Sequence, residues 1–186
     1  MKLAGRMASL FLCFTIVTIA LAGCLGGDEK DGEGTIDISD NATDMIITQE
    51  NLPAGWYAFS WEEMYGSEYP LQEGESGSMA ISYFSDFPDA WNATQWLVVA
   101  VLDFDDLQAA NSWFDGMKDQ YEQMGHTTRS MDVGEEGFYV DVNGDRTDVY
   151  MIFRSLDICV FMNYSSVSPP SIDAIIDFAE LQESLL

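Results

Sequence analysis

The sequence predicts an α+β domain: an antiparallel β-sheet packed against two helices, in the order β-β-α-β-β-β-β-α. Three observations carry that reading. Six short segments either alternate apolar and polar residues or run continuously apolar, and turn residues bound them. Two longer segments repeat apolar residues at helical period. Between two of the short segments lies Asn143-Gly144, the strongest short-range hairpin signal.

Taken in order, Met79 to Phe84 alternates, as a half-buried strand does, and Trp96 to Leu102 is continuously apolar, as a strand inside a sheet is. The first helix occupies 105–124, where Leu107, Ala110, Phe114, Met117, Tyr121 and Met124 fall on one face. Asp105 is placed to cap its start, and Gly125 to close its end in the left-handed conformation. His126 to Met131 adds a strand. A meander follows: Phe138 to Val142, Thr147 to Phe153 and Ile158 to Tyr164. After Pro169-Pro170, Ser171 caps a second helix running to the C-terminus, with Ile172, Ile175, Ile176 and Ala179 on its core face. Phe178, Leu181 and Leu185 widen that stripe.

The chain before the domain is of another kind. Lys2 and Arg6 precede a run from Ala8 to Ala22 of apolar residues and small hydroxyls, with no acid before Asp28. That run spans roughly 22 Å as a helix at ~1.5 Å per residue. It is short of the ~20 residues a permanent membrane span requires, and a positive start before a short apolar centre makes a secretory signal. Leu21-Ala22-Gly23-Cys24 closes it. This stretch resembles the lipobox of prokaryotic membrane lipoproteins at all four positions. The resemblance implies that the Cys24 thiol takes a diacylglyceryl-type lipid, that residues 1–23 are removed, and that membrane lipid is a partner through Cys24. Two acyl chains on one cysteine suffice for stable anchoring. An ordinary signal peptide cut nearby and an uncleaved N-terminal span are the alternatives. The expected organisation is a lipoprotein signal at 1–23, an acidic tether at 24–42 and one domain at 43–186. A flexible coil of about 18 residues reaches roughly 24 Å, which holds the domain just off the outer face of the cytoplasmic membrane.

Removal of the signal takes away Lys2 and Arg6 and no acid, leaving 32 acids against five bases. Such acidity excludes non-specific nucleic-acid binding, which needs a basic footprint. It also disfavours a domain lying flat on an anionic bilayer. It fits either recruitment of cations or of a basic partner, or a solvated acidic shell of the kind found on surface proteins of salty habitats. An aromatic content of 13% argues against a wholly disordered chain. Cys159 is the one cysteine left after Cys13 departs and Cys24 is lipidated, so no intramolecular disulfide is expected. Asn41, Asn92 and Asn163 each head a glycosylation-type sequon.

Leu52-Pro53-Ala54-Gly55-Trp56, followed by strands, a helix, a meander and a terminal helix, resembles the PsbP/Mog1-like superfamily and small exported sensor-type lipoprotein domains. The resemblance covers roughly residues 45 to 186. It implies the same α+β sandwich and a binding or assisting role.

Catalytic signals are sparse. One histidine and no G-x-S-x-G elbow give a nucleophilic triad little to stand on, and there is no H-E-x-x-H, Walker-type or dinucleotide motif. Acid pairs such as Glu62-Glu63 and Glu135-Glu136 are uninformative in so acidic a chain. Asp141, Asp145 and Asp148 begin like a calcium loop, but position 6 is Arg146 and position 12 is Ile152, so the stretch reads as a turn. His126 with Met117, Met124 and Met131 could suit copper, but core methionines explain the pattern. No metal and no cofactor is expected.

The unusual stretches are GWYAFSWEEMYGSEYP at 55–70 and YFSDFPDAW at 83–91, where rings crowd a region of poor periodicity. Rings on loops serve binding surfaces, or they cover a sheet as a satellite cluster. The candidate binding surface is Trp56, Trp61, Tyr65, Tyr69 and Trp91. The expected function is a lipid-anchored extracytoplasmic binding or accessory domain, not an enzyme, acting on a protein partner or a small molecule. The alternatives are a structural subunit docking on an envelope complex, and a hydrolase using two carboxylates.

Overall fold

A computed structural model describes residues 41–59, 79–104 and 106–186. Among these residues seven strands form one antiparallel sheet: β1 (Tyr57–Phe59), β2 (Met79–Ser85), β3 (Gln95–Asp103), β4 (Thr128–Met131), β5 (Glu136–Asp141), β6 (Asp148–Ser155) and β7 (Ile158–Ser166). Their order across the sheet is β1-β2-β3-β7-β6-β5-β4. Among the described residues three helices accompany it: α1 (Asn41–Asp44), α2 (Leu107–Gln123) and α3 (Ile172–Glu183).

The α+β class and the antiparallel sheet are those expected, and the element order is extended. One helical turn, α1, and the three-residue strand β1 precede the expected series. Neither is long enough to show a period, so pattern reading passes over both.

Both faces of the sheet are covered, which is why β3, β6 and β7 read as nearly continuous apolar runs. On one face Leu97, Val99, Val101, Met151, Phe153, Val160 and Met162 pack with Ile175, Phe178 and Ala179 of α3, and with Ala42, Ile46 and Ile47. On the other, Ala100, Leu102, Phe138, Val140, Tyr150, Ile152, Cys159 and Phe161 pack with Ala110, Trp113, Phe114, Met117 and Tyr121 of α2. Each large apolar side chain so buried contributes about 1.5–3 kcal/mol.

The helix ends follow local chemistry. Asp106, not Asp105, caps α2: its carboxylate accepts from the Ala109 N–H at 2.8 Å. With two aspartates in succession, composition alone cannot choose the register. Gly125 adopts φ +85° just past Met124, closing the helix as expected. Leu107 and Met124, expected on the core face, sit at the two ends of the helix and are about half exposed. Trp113, outside the expected stripe, is buried instead. Ser171 caps α3 by accepting from Ala174 N–H at 3.2 Å.

Asn143-Gly144 lies between β5 and β6, but the connection is six residues rather than two. Its carboxylates bond within the loop: Asp141 accepts from Arg146 N–H at 3.0 Å, and Asp145 from the N–H and hydroxyl of Thr147 at 3.0 and 2.6 Å. These bonds hold the Asp145 carboxyl below its ordinary range.

Candidate functional site

Strand registers set side chains in rows across the sheet. On the α2 side one row runs Phe59–Tyr83–Val98–Asn163–Tyr150, and the next runs Tyr57–Ser85–Trp96–Ser165–Asp148. Helix α2 lies chiefly over β7, β6 and β4 and reaches Ala100 and Leu102 of β3, toward the part of this face away from β1 and β2. At the β1–β3 end Phe59, Tyr83, Trp96 and Val98 are half-buried, and Tyr57 is 40% exposed. The Phe59 and Tyr83 rings lie 5.9 Å apart, within the range of a favourable aromatic pair.

The loop joining β2 to β3 forms the rim of this face, and two aspartates wire it. Asp86 accepts from the Thr94 N–H at 2.7 Å, the Thr94 hydroxyl at 2.5 Å and the Gln95 N–H at 3.0 Å. Burial pushes the Asp86 carboxyl up, but these bonds together outweigh it and hold it below its ordinary value. Asp89 accepts from Trp91 N–H at 3.0 Å and from the Asn92 amide at 2.6 Å. The Trp96 indole donates to the Ala90 carbonyl at 3.0 Å, and the Ser85 hydroxyl donates to the Phe87 carbonyl at 2.8 Å. So braced, the loop holds Phe87 and Trp91 out to solvent at 49% and 48% exposure. A loop held from both ends by its own carboxylates presents those rings with little entropy left to lose on contact.

Beneath the rim, Tyr164 donates to the Gln95 side chain. Burial first, and the Asp86 charge second, push the Tyr164 phenol up to about 12. Asn163, 1% exposed, has an amide nitrogen without a hydrogen-bond partner, as does the buried indole of Trp113.

Of the five surface residues read from sequence, Trp91 stands exposed on the loop. Trp56 is half-buried on the opposite side of the sheet, its ring 4.8 Å from that of Phe178 and 6.3 Å from that of Tyr164. It packs beside α3 as part of the core. Trp61, Tyr65, Tyr69 and the lipidation residue Cys24 lie outside the described residues. Tyr57, Phe59, Tyr83 and Trp96 share one face by register and Phe87 stands exposed on the adjoining loop, although sequence reasoning left them out. All but Trp96 fall within the two aromatic stretches, and the missing signal was the register that aligns the strand residues.

The residues weighed for metal do not converge. Met117 packs against α2's face of the sheet and Met131 against α3's, while Met124 is exposed. The His126 ring lies across that of Tyr121, with 6.3 Å between ring centroids. Among the described residues no group of three His, Cys, Asp or Glu side chains is arranged to hold a metal ion. Glu135 pairs with Arg154 at 2.7 Å and Glu136 with Lys118 at 3.8 Å, so these two acids serve separate ion pairs. Cys159 is fully buried, and desolvation pushes its thiol up to about 12 against the pull of Arg154. Glu62 and Glu63 lie outside the described residues. Among the described residues no helix is long and apolar enough to cross a membrane.

No family model matches the chain, and no curated protein sequence matches it. Among solved structures it is similar to the extracellular domain of PknH from Mycobacterium tuberculosis, with a TM-score of 0.51 at 10% identity. The match covers 86% of this chain and 98% of that one. At that identity the likeness shows a shared fold.

Proposed function

We propose that this chain is a lipid-anchored extracytoplasmic binding or accessory domain that meets a protein partner through the aromatic end of β1–β3. The observation that carries the reading is the braced β2–β3 loop, which holds Phe87 and Trp91 half exposed just past the end of β2, where Ser85 pairs with the exposed Tyr57. Solitary exposed rings are ordinary, but several at one end of an otherwise well-buried sheet are what contact surfaces use. The placement outside the cytoplasm rests on the lipobox-like Leu21-Ala22-Gly23-Cys24, and a fold shared with an extracellular domain supports it.

The test is purification from native membranes in mild detergent, comparing the natural chain with a Phe87→Ser/Trp91→Ser variant. The reading expects a stoichiometric partner that the variant fails to retain. Equal retention by both chains would count against it, and so would a retained small molecule in place of a protein.

A further inference from the structure

The partner's chemistry follows from where the charges lie. No Lys, Arg or His occurs between Lys30 and Lys118, so β1, β2, β3 and the loop that rims the aromatic face carry no cation of their own. The basic residues of the described domain sit in α2, β4, β6 and the β5–β6 connection. Three of them are occupied there: Lys118 with Glu136, Arg154 with Glu135, and Arg129 over the Tyr139 ring at 5.9 Å. The loop that carries the exposed rings contributes Asp86 and Asp89, and Glu50 directly follows Gln49, whose side chain is tied to Trp56 and to Ala58 of β1.

We infer that the occupant of this surface is a cationic protein segment carrying Lys or Arg among apolar side chains. The inference rests on the binding reading above. Three effects point the same way. An acidic half-domain with no balancing base repels an anionic partner and draws a cationic one. Exposed aromatic faces attract ammonium and guanidinium groups through the negative potential over the ring. The long alkyl stems of Lys and Arg lie well on apolar surface such as Phe87, Trp91 and Tyr57. The hydrogen bonds inside the loop fix the Asp86 and Asp89 carboxylates but leave their negative charge without a cation, which a purely apolar occupant would not balance.

The test uses the mature chain, captured by a C-terminal tag on a biosensor in nonionic detergent, against a blank surface. The probes are three 12-residue peptides that share the same apolar positions and differ in having Lys, Gln or Glu between them. The expected result is at least tenfold tighter binding of the Lys peptide than of the Gln peptide, with no binding of the Glu peptide. Phe87→Ser/Trp91→Ser should weaken the Lys peptide at least tenfold. Leu156→Ser, which removes an exposed apolar side chain from the other end of the sheet, should leave it unchanged. Equal binding of the Lys and Gln peptides, still lost in the double variant, would overturn the cationic partner and leave the binding surface standing. Lys-peptide binding that ignores the double variant would reduce the effect to bulk charge and overturn both, as would no binding of any peptide.

Discussion

Replacing Gln182 by Met tests how the domain holds the segment through which the chain from Cys24 arrives. Gln182 is the fully buried polar residue of α3. Its amide nitrogen donates to the Met45 carbonyl at 2.6 Å, and its oxygen accepts from the Ile47 N–H at 2.9 Å. Methionine keeps the length and nearly the volume of glutamine, so little cavity forms, but it neither donates nor accepts usefully. One N–H and one carbonyl are then left without their partner. An abandoned buried group costs about 1–3 kcal/mol. Ile47 is fully buried and takes the higher part of that range, while half-buried Met45 takes the lower. The sum is about 2–4 kcal/mol, a large share of the ~5–15 kcal/mol by which a domain is stable. Urea denaturation of the natural and variant chains reads it directly, with the midpoint lowered and the slope unchanged if the folded state stays intact. A loss under about 0.5 kcal/mol would refute the clamp as a source of stability.

Three further predictions concern the buried ionisable groups, the lipobox and a buried sequon. The folded chain keeps its Cys159 and Tyr164 protons up to about 12, whereas an unfolded chain releases them near their ordinary 9.0 and 10.0. The unfolded state therefore binds fewer protons above pH 9, and stability should fall from pH 9 upward until about 12. Urea midpoints at several alkaline pH values measure this, and a midpoint that does not move across the range contradicts it. Changing Cys24 to Ala should abolish lipid labelling and leave uncut precursor in the membrane; unchanged labelling would sink the lipobox reading. Of the sequons, the one at Asn163 should carry no sugar in protein taken from native membranes, because Asn163 is 1% exposed inside β7 between Val98 and Tyr150. Peptide mapping that finds a glycan there would contradict that strand register.

Much of this fold can be read from residue order, because the strands that matter are buried on both faces and announce themselves as apolar runs. The helices declare themselves by period and by caps, with an error of one residue where Asp105 and Asp106 adjoin. What pattern could not supply is contact across the sheet. Trp56 sits in an aromatic stretch and looks like its neighbours, yet it packs beside α3 against Phe178. Tyr57, the next residue, points to the other face and stays exposed, since successive side chains of a strand alternate. Gln182 breaks the apolar stripe of α3 and is still buried, because its partners lie in the segment at Met45 and Ile47, far off in sequence. Phe87 and Trp91 stand out only once Asp86 and Asp89 are seen to fix the loop's shape.

The central claim is that the braced β2–β3 loop is where a partner is met. A photo-crosslinking residue placed at Trp91 in the membrane-bound chain tests it most directly, with the same residue at Leu156 as the control. The account predicts one discrete protein adduct from position 91 and none from 156. The same adducts from both positions, or none from 91, would contradict it.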